Sequence, residues 1–194
     1  MARTLAFDRD TAARAARQVF WRDGFESASI PALETATGLS RSSIYNAFGS
    51  KRGLFDAAVE SYLDEIVRPR LAGLLAEPIA PEALDAYLAG LGQALENAAQ
   101  LPASHGCLLV NSASSPIGAD PHIAEVIEAY RAELASAFDR GLAAADPHLP
   151  EPQRTVRGQA VTGLVIAAFA MVRTSRPQAC ELVKAARTVA RGQG

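Results

Sequence analysis

Apolar residues recur along most of this chain at the three- and four-residue spacing of amphipathic helices. Such stripes run from Ala12 to Phe20, from Leu84 to Leu95 and from Ile123 to Leu142, and a longer one from Phe55 to Val67 ends just before Pro69. Ten of the eleven prolines lie between stripes, and no alternating run bounded by turns indicates a strand. The pattern predicts an all-α protein with about nine helices.

Residues 24–55 predict two short helices joined by a tight turn. Ser29 is placed to cap the first helix, and Gly38 ends it because glycine enters the left-handed backbone region at little cost. Ser40 then caps a second helix that runs from Arg41 to Phe48. This is the layout of a helix-turn-helix DNA reader, in which the second helix is the recognition helix.

Ten residues of this segment stand at the unbroken spacing of a motif from the TetR family of bacterial transcriptional repressors. They are Gly38, Leu39, Ser40, Ser43, Ile44, Tyr45, Phe48, Ser50, Lys51 and Leu54. The chain therefore resembles that family over roughly its first 60 residues. The resemblance implies a helix-turn-helix domain in residues 1–52 and a helical effector-binding and dimerisation domain in residues 53–194. It also implies that a homodimer binds a near-palindromic operator in double-stranded DNA.

The predicted DNA-binding residues fall into two groups. Some are polar or charged groups near helix starts, where phosphates are favoured: Ser29, Ser40, Ser43, Tyr45 and Lys51. Arg41, Ser42 and Asn46 project from the other face, and arginine can pair with guanine while asparagine can pair with adenine. The first group is expected to position the domain and the second to read bases.

Charge is distributed unevenly along the 194 residues. The net charge is -2, yet residues 1–55 hold eight Lys or Arg against five Asp or Glu, a net of +3 that leaves -5 for the remainder. A basic domain on an acidic body orients the molecule toward a duplex. Because no apolar run is long enough for a membrane span and the amino terminus lacks a signal-peptide core, we expect a cytoplasmic protein.

The helical body is predicted to hold a small, largely apolar effector. Its inward stripes are poor in charge and rich in aromatic residues, namely Tyr62, Tyr87, Tyr130, Phe138 and Phe169. The segment from 106 to 111, GCLLVN, resembles one that lines the effector cavity in many TetR relatives, which adds Cys107 and Asn111. Since free cysteine is among the most buried residue types, Cys107 is interpreted first as a packed hydrophobe and second as a reactive sensor thiol.

The last two stripes are rich in small residues, which let helix axes approach closely. In the TetR family the last two helices pair with their copies, which makes these residues a candidate dimer interface: Val156, Ala160, Gly163, Leu164, Ala167, Ala168, Met171, Leu182, Val183 and Ala186. Packing within one chain is the alternative explanation for one face of these helices.

Together these features predict a ligand-responsive transcriptional regulator, most simply a repressor, without catalytic activity, metal or cofactor. Its partners would be operator DNA, a second copy and an unidentified small molecule, and not a membrane. One alternative is a thiol-based electrophile or redox sensor, or a helical cysteine enzyme, built around Cys107. Another is a structural helical adaptor whose basic corner does not meet DNA. Salt-dependent binding to duplex DNA separates the first hypothesis from both.

Overall fold

The computed structural model describes residues 8–97 and 105–192, and every regular element in these ranges is helical. Residues 1–7, part of the segment predicted to lack a signal-peptide core, lie outside them. None of the described helices is both long enough and apolar enough to cross a bilayer. The all-α prediction is confirmed.

Three helices and the start of a fourth form the amino-terminal part. They are α1 (Arg9–Ser27), α2 (Ile30–Thr37), α3 (Arg41–Phe48) and α4 (Lys51–Tyr62). Ser29, Ser40 and Ser50 each accept a hydrogen bond from a backbone N–H in the first turn of the helix they precede, so the two predicted serine caps are confirmed. The domain closes around Phe20, Leu33, Ile44 and Phe55, all of which are fully buried.

The sequence pattern predicted a helix that ends just before Pro69, but the helix that begins at Lys51 continues past this proline. A π-helical turn, Leu63–Val67, carries it into α5 (Arg68–Leu75), with Pro69 in the first turn of α5. Proline has no N–H to donate and needs room for its ring, and a widened turn before it meets both requirements. Counted with this junction as one rod, the described chain has nine separate α-helices. The rod also crosses the predicted domain boundary at residue 52.

The body is built from α5 and five further helices. These are α6 (Ala83–Glu96), α7 (Leu108–Ala113), α8 (Pro121–Ala145), α9 (Glu151–Met171) and α10 (Arg176–Ala190), with a short 3₁₀ turn, Pro116–Ala119, before α8. Asp120 caps α8 by accepting from the backbone N–H groups of His122 and Ile123. Helix α10 packs on α9 and α6, and α8 packs on α9. One apolar core runs through both parts of the chain.

Candidate DNA-binding site and effector cavity

The turn between α2 and α3 is fixed by backbone and side-chain hydrogen bonds. Gly38 ends α2 at φ 69°, and its N–H donates to the carbonyl of Glu34. The Glu34 carboxylate accepts from the backbone N–H of Arg41 at 2.6 Å, which ties the start of α3 back to α2. An acidic group is favoured at a helix amino terminus. Sequence reasoning did not assign this role to Glu34.

Helix α3 buries one face and exposes the other. Ile44 and Phe48 lie in the core, whereas Arg41, Tyr45 and Asn46 are exposed. The Arg41 guanidinium lies 5.5 Å from the centre of the Tyr45 ring, so the two side chains share one surface. The predicted base-reading and phosphate-contacting residues of α3 are thus available to a duplex without any unfolding.

Three serine hydroxyls surround the start of α3. The Ser40 hydroxyl accepts from the backbone N–H of Ser43 at 3.2 Å and lies 2.9 Å from the hydroxyls of Ser42 and Ser43. Ser29 makes the equivalent cap at α2, where its hydroxyl accepts from Ala32 at 3.2 Å. Ser29 and Ser40 therefore have a local capping role, and of the four serines all but half-buried Ser43 are exposed.

Lys51 lies at the start of α4, beside the end of α1. Its Nζ is 4.7 Å from the centre of the Phe25 ring and 3.4 Å from the carbonyl oxygen of Glu26. Partial burial lowers the pKa of the Lys51 ammonium. An ammonium held on an aromatic face is restricted in orientation before any phosphate arrives.

Comparisons with known proteins agree with this geometry. Residues 13–58 match the family described as bacterial regulatory proteins, tetR family. The chain is 32% identical over 143 residues to the uncharacterized HTH-type transcriptional regulator YezE of Bacillus subtilis (strain 168), which covers 73% of this chain and 72% of that protein. The chain belongs to the TetR family of bacterial transcriptional regulators.

Two further relatives carry more specific descriptions. The HTH-type transcriptional repressor ComR of Escherichia coli (strain K12) is 33% identical over 114 residues, which is 58% of this chain and 53% of that protein. The solved structure of a cysteine mutant of the TetR family transcriptional regulator CifR, complexed with a 26-bp double-stranded operator, is 27% identical with a TM-score of 0.78. It covers 95% of this chain and 98% of that one. This TetR regulator thus has relatives described as a repressor and as an operator complex.

Only some of the predicted effector residues of this TetR chain lie close together. Tyr62, Tyr87, Tyr130 and Phe169 line one narrow space of about 20 Å³ inside the body. The Cys107 thiol donates to the Tyr130 hydroxyl at 3.4 Å, and Cys107 has no exposed surface. Burial raises the pKa of Tyr62 and of Tyr130, with Cys107 adding to both shifts. Cys107 is therefore a packed group in this arrangement.

Two predicted effector residues have packing roles instead. Phe138 is fully buried and packs on Tyr87, with the ring centres 5.3 Å apart. The Asn111 side-chain amide donates to the His105 carbonyl at 2.7 Å, which fixes the turn before α7. Asn111 does not border the tyrosine-lined space. The Asn111 carboxamide therefore bonds within its own loop, because the turn at Gly106 brings the His105 carbonyl close to Asn111.

Arg70 was not among the predicted site residues, yet it borders the same narrow space and two wider ones beside it. One of these is about 290 Å³, bordered by Ala86, Tyr87, Gly90, Leu91 and Ala94 of α6. The other is about 500 Å³ and lies toward the loop between α5 and α6. Arg70 reaches the cavities only because the α4 to α5 rod continues past Pro69.

The residues predicted for the dimer interface separate into two faces. Val156 is 67% exposed, Ala160 and Gly163 are exposed, and Leu164, Ala167, Met171 and Leu182 are half-buried. Ala168, Val183 and Ala186 are at most 1% exposed because they pack inside the protomer. These three side chains are covered within the protomer and are not presented to a second copy in this arrangement, and the dimer interface as a whole stays a prediction.

A segment of the body, Gly106–Asp120, contacts the amino-terminal helices at three polar points. The Trp21 indole N–H donates to the Gly106 carbonyl at 2.9 Å, and the Glu26 carboxylate accepts from the Ile117 N–H at 2.8 Å. Arg52 pairs with Asp120 at 2.5 Å. The Arg52 guanidinium lowers the pKa of Asp120 to about 2. We call residues 106–120 the bridging segment.

Proposed function

We propose that this TetR regulator is a repressor that binds a near-palindromic operator as a homodimer and is released by a small, largely apolar effector. The observation that carries the proposal is the exposed surface of α3, where Arg41 lies over the Tyr45 ring and Asn46 is also exposed, on a helix anchored by Glu34. A major groove admits one α-helix, and arginine and asparagine are its usual readers of guanine and adenine. The operator complex of CifR, at 27% identity, supports this assignment.

The second copy would pack on the exposed strip of α9. Val156, Ala160, Gly163, Ala167 and Met171 follow one face of that helix and leave small or apolar surface uncovered in the protomer. Two-fold symmetry is needed because two recognition helices must enter the groove about 34–36 Å apart, or at a multiple of that spacing. We therefore propose α9, with Leu182 of α10, as the dimer interface.

The effector would act through the bridging segment. Within this segment, Cys107 contacts Tyr130, which borders the tyrosine-lined space. Gly106 and Asp120 of the same segment contact Trp21 and Arg52 of the DNA-binding part. A ligand that repositions α7 or α8 would therefore also displace Gly106 or Asp120, which contact Trp21 and Arg52 of the DNA-binding part. Such a ligand changes operator affinity only by its differential affinity for the two arrangements, in a usual range of about 5- to 150-fold.

Selection from a random duplex library tests the operator and the dimer together. The purified chain is incubated with a pool of random DNA at near-physiological salt, and bound fragments are amplified and sequenced over several rounds. The expected result is an enriched inverted repeat whose half-sites lie about one helical turn apart. Enrichment of a single half-site would overturn the dimeric arrangement, and recovery of unenriched DNA would overturn sequence-specific binding altogether.

A further inference from the structure

In the described part of the chain, Arg70 is the only cation that borders any of the three cavities beside α5, α6 and the tyrosine residues. It shares two of the cavities with Ala86 and all three with Tyr87, so the cavities adjoin one another around these side chains. The cavity of about 290 Å³ is near the lower size of small-molecule pockets, roughly 300–1000 Å³, and the neighbouring one is about 500 Å³.

Arg70 is an exposed residue, and its guanidinium forms no ion pair within 4 Å among the described residues. Arg68, two positions earlier, differs because it pairs with Asp64 and Glu133. Glu82 and Arg70 both border the wider cavity, but the two side chains do not form an ion pair. The positive charge of Arg70 acts on two nearby tyrosines. It lowers the pKa of Tyr62 and of Tyr87, whereas burial raises both values.

The remainder of the lining is suited to an apolar group. Gly90 and Ala94 of α6 are small, so this face of α6 leaves a groove, and Leu91 and the ring of Tyr87 supply apolar walls. Among residues 8–97 and 105–192, no second cation borders any of the three cavities to balance a doubly charged group, and Glu82 in the lining of the wider one would repel such a group. A single guanidinium suits a carboxylate, which it can hold with two parallel hydrogen bonds.

We propose that this space binds a small amphipathic carboxylate, with the carboxylate on Arg70 and an apolar chain or ring along α6 toward Tyr87. The identification of this molecule as the effector rests on the function proposed above, whereas the binding site itself does not. The effector is thereby narrowed from a largely apolar molecule to an acid with an apolar body. Arg70 then selects between an acid and the corresponding alcohol.

Matched acids and alcohols test the inference on the DNA-free full chain. Octanoate and 4-phenylbutyrate are titrated by calorimetry beside 1-octanol and 4-phenylbutanol, which have the same apolar bodies without the charge. The wild type should bind each acid more tightly than its alcohol. Arg70→Gln should weaken the acids by roughly 10- to 150-fold, the equivalent of a hydrogen-bonded charge, and leave the alcohols unchanged. Arg70→Lys should retain part of the preference because it keeps the charge without the fork.

Arg131→Gln is the matched control, since Arg131 is exposed on α8, borders none of these cavities and pairs with Glu128 on its own helix. It should leave all four affinities unchanged, and circular dichroism should show that every variant keeps its helical content. Equal affinity of acid and alcohol would overturn the inference. So would equal losses in Arg70→Gln and Arg131→Gln, or no binding of either acid up to about 1 mM.

Operator release is measured separately, so that the two proposals can fail independently. If the acids bind through Arg70 and leave operator affinity unchanged, the site stands and the proposed release mechanism fails. If instead the neutral alcohols release the operator equally well from wild type and Arg70→Gln, the proposed function stands and the acidic effector is wrong.

Discussion

The substitution Gly106→Ala should destabilise this protein much more than Gly38→Ala, although the two glycines have nearly the same backbone conformation. Gly106 has φ 74° and Gly38 has φ 69°, both in the left-handed region that side chains with a Cβ rarely adopt. The two positions differ in the space around them. A Cβ at Gly106 would lie 2.6 Å from the Phe169 carbonyl oxygen and 3.2 Å from Cγ1 of Val172, whereas a Cβ at Gly38 would meet nothing within 4 Å.

The expected magnitudes follow from these contacts. A Cβ in the left-handed region costs about 1–2 kcal/mol, and this cost applies to both variants. Only Gly106→Ala adds overpacking, typically about 1–3 kcal/mol, because the obstructing oxygen belongs to the backbone of α9 and cannot rotate away. Gly38→Ala should therefore lose about 1–2 kcal/mol of unfolding free energy and Gly106→Ala about 2–5 kcal/mol.

Urea unfolding followed by far-ultraviolet circular dichroism measures both values, at one fixed protein concentration because the proposed dimer would make apparent stability depend on concentration. The single tryptophan, Trp21, gives a second signal, since its indole N–H donates to the Gly106 carbonyl. Gly106→Ala should change the fluorescence of the folded protein and Gly38→Ala should not. Equal destabilisation of the two variants would refute the argument from crowding, since they share the conformational cost.

Three further predictions concern DNA, the dimer and the bridging segment. In fluorescence anisotropy, Lys51→Ala should weaken binding to all duplexes and lower the salt slope by about 1, whereas Asn46→Ala should lose about 1–3 kcal/mol at one base pair only; equal losses of Asn46→Ala on operator and random DNA would reverse its assignment. Gly163→Glu, which has open space in the protomer, should sediment as a monomer while the exposed control Ala132→Glu stays dimeric; an intact Gly163→Glu dimer would exclude this face. Asp120→Ser should keep the cap of α8 and nearly all thermal stability but reduce effector-dependent release, whereas Asp120→Ala should also lose about 1 kcal/mol of stability; unchanged release in both variants would remove the ion pair from the coupling.

Local signals in the sequence were enough to predict the helix-turn-helix. Ser29 and Ser40 cap helices where predicted, and Gly38 takes the left-handed conformation expected of it. Caps and glycine turns act within four residues of chain, so a single sequence contains all the information they need. The same holds for the exposure of Asn46, because burying Ile44, two positions earlier on α3, places Asn46 on nearly the opposite side of the helix.

The lining of the candidate effector cavity could be predicted only in part because it depends on distant parts of the chain. Aromatic residues on inward stripes identified Tyr62, Tyr87 and Tyr130, but nothing local distinguished a lining ring from a packed one such as Phe138. Arg70 was missed because proline usually ends a helix, and the π-helical turn that carries the rod past Pro69 could not be predicted from its hydrophobic pattern.

The small-residue stripes illustrate a different limit of sequence-based prediction, which is the separation of core-facing from exposed positions on one helix. Spacing alone placed Gly163, Ala167 and Ala168 on one close-packing face, yet Ala168 is buried against the protomer while Gly163 is exposed. Adjacent positions on a helix point about 100° apart, so a broad apolar stripe can cover two contacts at once. Which part faces the core depends on where α8 and α10 lie, and that is a property of the packed body.

Asp120 joins the amino-terminal part of the chain to the body in a way that favours coupled movement of α8 and α4. Its carboxylate caps α8 by accepting from the N–H groups of His122 and Ile123, and the same group pairs with Arg52 of α4. Any displacement of the first turn of α8 must therefore either break the cap, break the ion pair or move α4 with it. Since α4 carries Lys51 and packs on both α1 and α3, the last of these moves the DNA-binding surface. Under the proposed function, a ligand that stabilises a shifted α8 would therefore act on operator affinity through the contact between Asp120 and Arg52.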